Sequence, residues 1–101
     1  MKYGKAIRDK IPNIIRDSGV SCTVETLPND EFLLELEKKL GEEVDEYLQS
    51  KSPEELADII EVVYRIVELR GSSIEELDQI RLEKAEKRGG FTENLFLVET
   101  S

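Results

Sequence analysis

The sequence predicts an all-α fold, a compact bundle of three longer helices plus a short N-terminal helix, with a minor extended or β segment as an addition. Three observations predict it. Apolar residues recur at helical spacing through three long stretches, two of those stretches open on a Ser-x-x-Glu capping pattern, and glycine closes three of the four segments. No repeat, linker or low-complexity stretch interrupts them, so residues 1–101 read as a single domain with one modest core.

The elements follow in order. Asp9 is placed to cap a short helix near residues 10–18 that carries Ile11, Pro12, Ile14 and Ile15, and Gly19 supplies the left-handed stop. From Val20 to Thr26 the chain alternates, Val20, Cys22 and Val24 against Ser21, Thr23 and Glu25, which predicts a short strand or extended segment. Pro28-Asn29-Asp30 is a turn-plus-cap signal. Beyond it Leu33, Leu36, Leu40, Val44, Tyr47 and Leu48 predict a long helix that Gly41 does not break. Ser52 as cap, Pro53 at the first helical position and Glu55 at the third open the next helix, which runs through Leu56, Ile59, Ile60, Val63, Ile66 and Val67 to Arg70 and stops at Gly71. Ser73 with Glu76 repeats the box, and the last helix continues through Leu77, Ile80 and Ala85 to Gly89-Gly90. The tail from Phe91 to Ser101 holds Leu95-Phe96-Leu97-Val98, read as a strand or a docked extension.

Composition narrows the chemistry. There is no histidine, which removes Ser-His-Asp and Cys-His triads, histidine bases and histidine metal sites together. The single cysteine, Cys22, makes neither an internal disulfide nor a zinc site and reads as a small half-buried core residue in a reduced, cytoplasmic protein. No apolar run reaches the length of a membrane span, and Met1 opens into Lys2-Tyr3-Gly4-Lys5 rather than a signal peptide. A net charge of −9 disfavours duplex nucleic acid and anionic lipid, and the absence of Trp with only three Phe and three Tyr removes a stacking platform for single strands.

Several acids sit where a helical projection puts apolar residues. On the second helix the apolar arc is centred near Leu33, Leu40 and Val44, with Phe32 and Leu48 at its edges, and Glu43 falls inside it. Glu46 follows one turn on, with Glu42 on the neighbouring strip at i,i+4 from Glu46. On the third helix Glu55 lies within an arc that runs from Val62 and Leu69 round to Tyr64, and Asp58 lies at its edge. Two helices thus press paired acids toward a shared core, a costly arrangement unless a hard cation such as Mg²⁺ or Mn²⁺ offsets the charge. The plainer readings are a capping-box role for Glu55 and a solvated face for Glu42, Glu43 and Glu46.

The run Glu42-Glu43-Val44-Asp45-Glu46, followed by Glu55-Leu56-Ala57-Asp58, resembles the EExxE…ExxD signature of the MazG-like, all-α nucleoside triphosphate pyrophosphohydrolase superfamily. Tyr3-Gly4-Lys5-Ala6-Ile7-Arg8-Asp9-Lys10-Ile11-Pro12 and Lys84-Ala85-Glu86-Lys87-Arg88-Gly89-Gly90-Phe91 are similar to a small single-domain branch labelled phosphoribosyl-ATP pyrophosphohydrolase-like. The resemblance implies that Glu43, Glu46, Glu55 and Asp58 bind Mg²⁺, with Glu42 contributing directly or through water, and that the products are a nucleoside monophosphate and pyrophosphate. The eight residues between Glu46 and Glu55 are fewer than in many members, which requires a short inter-helix turn. The basic segment after the last helix also departs from the pattern of classical MazG domains.

Metal-assisted hydrolysis is the mechanism expected, with Glu43 or Glu46 orienting the attacking water. Arg81, Lys84 and Arg88 form one basic strip on the last helix, suited to phosphate or simply to the helix dipole. Lys5, Arg8 and Lys10 make a second cluster that meets substrate or balances nearby acids. A homo-oligomer, dimer or tetramer, is expected to hide Val62, Tyr64 or Leu69. The competing reading is a non-enzymatic helical interaction module whose acidic face docks a basic partner.

Overall fold

The computed structural model describes residues 4–101; Met1, Lys2 and Tyr3, and with them the first residue of the N-terminal resemblance, lie outside the described residues. Four helices follow in order, α1 (Ile11–Asp17), α2 (Asn29–Ser50), α3 (Pro53–Leu69) and α4 (Ile74–Arg88), with no strand among the described residues. The fold is all-α. No helix among the described residues is long and apolar enough to cross a membrane.

The helix ends are set by local chemistry. The α2–α3 connection is only Lys51-Ser52: Lys51 takes a left-handed conformation at φ 59°, and its N–H donates to the Tyr47 carbonyl at 2.7 Å. Ser52 then starts α3 at once, its hydroxyl accepting from the Glu54 N–H at 3.3 Å with Pro53 in the first turn. This is the short turn that the spacing of Glu46 and Glu55 requires. Glycine closes α3, where Gly71 at φ +89° lets its own N–H reach the Glu68 carbonyl at 3.0 Å and the Ser72 N–H reach that of Val67 at 3.0 Å.

The core is a seam inside the α2–α3 hairpin. Leu36 and Val62 are buried, with Phe32, Leu40, Ile66 and Leu69 packed around them. The extended N-terminal segment crosses this seam and inserts Ala6, which brings Arg8 to the hairpin. The apolar arc therefore keeps Leu40 but is centred on Leu36, with Phe32 inside it and Val44 outside; Val44 and Leu48 stay more than a third exposed because α3 covers only one strip of α2. Val62 and Leu69 belong to this core and are not available as an interface, whereas Tyr64 remains on the open side. α4 packs only against α3 and leaves a groove of about 250 Å³ lined by Ile60, Val63, Tyr64, Leu77, Asp78 and Arg81.

Two local expectations are corrected, at Asp9 and at Leu95–Val98, and the alternative left open at Val20–Thr26 falls to the extended segment. Asp9 does not cap α1: the N-cap residue is Lys10 and makes no side-chain cap bond, because the turn is closed by the backbone through the Ile11 N–H to the Arg8 carbonyl at 3.1 Å. Val20–Thr26 is extended but pairs with no strand. It is tied back to α1 instead, Arg16 Nη2 donating to the Cys22 carbonyl at 3.4 Å and the half-buried Cys22 Sγ lying 3.8 Å from the Pro12 carbonyl. Leu95–Val98 is neither a strand nor docked; its four side chains stand in solvent. With the tail outstretched the molecule measures 60 × 32 × 23 Å and has a radius of gyration of 17.8 Å, against about 13 Å for a closely packed chain of this length.

Candidate metal centre

Near the α2–α3 connection the apolar seam turns acidic. The α2 stripe Phe32, Leu36, Leu40 continues one turn on to Glu43, and the α3 stripe Leu69, Ile66, Val62 continues back to Asp58 and Glu55. Glu43, Glu55 and Asp58 each offer a carboxylate oxygen within 4.8 Å of the other two. Glu43 is 7% exposed, so this acid occupies a core position. Its Oε2 and the Oε2 of Glu55 are buried with no hydrogen-bond partner. Desolvated carboxylate oxygens without partners are costly, and here two of them come together.

Local structure explains why Glu55 is available. In a complete capping box its carboxylate would accept from the Ser52 N–H. That N–H donates instead to Ser50 Oγ at 3.2 Å, and only the backbone half of the turn forms, the Glu55 N–H donating to the Ser52 carbonyl at 3.1 Å. The Glu55 side chain is thus left for the seam. At α4 the equivalent Glu76 finds a partner nearby, accepting from Ser72 Oγ at 2.8 Å while its N–H donates to Ser73 Oγ at 3.1 Å.

Two cations border the cluster. Lys39, one turn before Glu43, places Nζ 3.5 Å from Glu43 Oε1, and Arg8 places Nη2 2.6 Å from Asp58 Oδ1. They do not quench the site. Burial raises the Glu43 carboxyl above the ordinary carboxylate range, the charges of Glu46 and Asp58 and a hydrogen bond with Glu46 raise it further, and Lys39 opposes them. The folded chain therefore holds that proton more tightly than the unfolded chain, so the stability Glu43 contributes is present in acid and lost as pH rises through its elevated pKa. Thermal melts of the chelator-treated protein should show wild type losing stability relative to Glu43→Gln as pH rises above the ordinary carboxylate range; parallel curves would contradict this. A cation held by this carboxylate would require the same proton to leave, so any such binding should strengthen as pH rises.

The donor set suits a hard divalent ion. Oxygens bound to one such ion at 2.0–2.6 Å lie about 3–5 Å apart, which the carboxylate oxygens of Glu43, Glu55 and Asp58 match. All three donors are carboxylates, which favours Mg²⁺ or Mn²⁺ over softer metals. Of the other residues singled out by sequence, Glu46 is exposed but adjoins Glu43, and Glu42 is exposed and outside the triad. Arg8 reaches the cluster, and Lys5 lies exposed on the same N-terminal segment. Arg81 pairs with Asp78 on its own helix at 3.0 Å, and Lys84 and Arg88 lie exposed on the last turns of α4. Among the described residues none of these three forms an ion pair with the acids. Sequence reasoning missed Lys39, for which the i,i+4 spacing to Glu43 was the available signal.

Comparison with known proteins adds little to this geometry. A Mycolicibacterium smegmatis protein described as an uncharacterized protein is 48% identical over 40 residues, which cover 40% of this chain and 41% of that protein. No known family profile and no solved structure matches the chain.

Proposed function

We propose that the chain is a divalent-cation-dependent nucleotide pyrophosphohydrolase, of the MazG-like kind that its EExxE…ExxD pattern resembles, acting on a nucleoside triphosphate or a phosphoribosyl nucleotide. The observation that carries this reading is the convergence of Glu43, Glu55 and Asp58 across the helical hairpin, with Glu43 Oε2 and Glu55 Oε2 buried and unpartnered. Glu43, Glu55 and Asp58 would hold Mg²⁺ or Mn²⁺, with Glu42 contributing through water. The bound cation supplies charge neutralisation for phosphate oxygens and a more acidic water. Glu46, exposed and close beside Glu43, is the better placed of the two catalytic candidates and would orient the attacking water and accept its proton. Arg8, at the rim on Asp58, offers its remaining donors to phosphate, with Lys5 on the same segment. A reduced, cytoplasmic setting accords with the lone half-buried thiol.

The interaction-module reading loses part of its support, since Val62 and Leu69 are used inside the hairpin and do not widen an external apolar face. Turnover of a nucleotide panel with Mg²⁺, and again with a chelator, tests the enzyme reading: cation-dependent cleavage of at least one member is expected, and no turnover on any would overturn it.

The basic strip of α4 gives a separate test. Loss of charge at Lys84 or Arg88 should lower kcat/KM by about tenfold, equivalent to about 1.4 kcal/mol, with Mg²⁺ affinity and melting temperature nearly unchanged. If these residues only complement the helix end, Lys84→Ala and Arg88→Ala will instead cost a few tenths to about 1 kcal/mol of stability and leave kcat/KM intact. The strip would then hold no phosphate.

The same proposal includes a homo-oligomer. The chain exposes 9012 Å², whereas a folded monomer of 11.6 kDa exposes about 5,800 Å².

A further inference from the structure

The C-terminal tail is the least explained part of the molecule. Phe91, Leu95, Phe96, Leu97 and Val98 are 79–98% exposed, although they are among the most apolar side chains in a chain whose overall charge is −9. The chain leaves α4 through Gly89 at φ +82° and Gly90, and the tail then stands clear of its own helices. The α3–α4 groove is partly bare, with Ile60 at 49% and Tyr64 at 36% exposure in its lining and Leu56 at 43% and Ile80 at 50% on the same two helices.

We propose that this tail is an exchange arm: in a two-fold dimer each copy lays Leu95–Val98 into the α3–α4 groove of the other. Dimensions agree. Four extended residues span about 13 Å; the groove-lining stretch of α3 from Ile60 to Tyr64 rises about 6 Å, and the exposed Leu56 one turn before it extends the apolar strip to about 12 Å. The six residues from Gly89 to Asn94 that link α4 to the arm reach about 20 Å, enough to cross to an abutting copy. Areas agree as well. Leu95 and Leu97, on one side of an extended arm, bring roughly 300 Å², so two arms with the faces they cover bury roughly 1,200 Å² in total, at the lower edge of the range of stable interfaces. One reciprocal contact covers both bare surfaces and closes on itself, so it does not propagate into a filament.

The test uses full-length chains in sedimentation velocity, with circular dichroism as a control on folding. Wild type should be a dimer at micromolar concentration. Leu95→Asp combined with Leu97→Asp alters only solvent-exposed tail positions, so helicity should be retained while dimer affinity falls at least a hundredfold. Ile60→Asp damages the groove and should also yield monomer. Mixing the two variants should restore heterodimer, because one intact arm still meets one intact groove. A dimer unchanged by the tail substitutions would overturn the proposal, and so would a wild-type monomer at high micromolar concentration, the outcome if the tail folds back on its own chain.

Discussion

Glu43→Gln is expected to cut kcat/KM at least about a hundredfold, equivalent to about 2.7 kcal/mol, and to remove Mg²⁺ binding, while raising the melting temperature of the metal-free protein. The opposite signs have one cause. The acid sits in a core position with one oxygen unpartnered and with Glu46 and Asp58 as like-charged neighbours, so without a cation its charge opposes folding. The amide keeps the volume and can donate to Glu46, and each kcal/mol relieved should appear as about 4–8 °C in Tm. Glu55→Gln should behave alike because its Oε2 is equally orphaned, whereas Glu42→Gln, on an exposed strip outside the triad, should leave melting temperature within experimental scatter. Calorimetry with Mg²⁺ checks the binding arm. Were this chain an interaction module, Glu43→Gln would bind Mg²⁺ no differently from the parent.

Leu36→Ala should be the most damaging of the simple apolar truncations. Among the described residues Leu36 is one of three buried apolar side chains, and its loss opens a cavity in a seam with little else to collapse into it. The cost is about 3 kcal/mol, or roughly 12–24 °C in Tm, a large fraction of the stability of a small domain. Leu34→Ala, at a position 61% exposed on the same helix, should cost less than about 0.5 kcal/mol. Thermal denaturation followed by circular dichroism separates the two. Equal losses would contradict the placement of the seam.

Helix limits were legible because they are written in local chemistry: the Ser52 and Ser73 caps, Pro53, Gly71 and Gly89 each act within a few residues of themselves. The phase of α2 was less legible. That helix carries Leu33, Leu34, Leu36, Leu40, Val44 and Leu48 on more than one strip, and only the docking of α3 selects the one built on Leu36. Glu43 and Glu55 were recognisable as acids in apolar register. Their isolation was not, since it depends on the Ser52 N–H choosing Ser50 Oγ over the Glu55 carboxylate. The Arg8–Asp58 pair joins residues 50 apart and leaves no local trace. The alternating Val20–Thr26 failed as a strand for a related reason: alternation permits pairing, but a strand exists only with a partner edge, and the one other extended apolar run, Leu95–Val98, lies out in solvent.

The central claim is a bond choice, cleavage between the α- and β-phosphorus atoms at a carboxylate-held cation. Phosphorus-31 NMR of a nucleoside triphosphate that the chain turns over, incubated with Mg²⁺, tests it most directly. Growth of a pyrophosphate singlet in step with a monophosphate resonance, absent with Glu43→Gln, is the expected result. Orthophosphate appearing with a nucleoside diphosphate and no pyrophosphate would contradict the account.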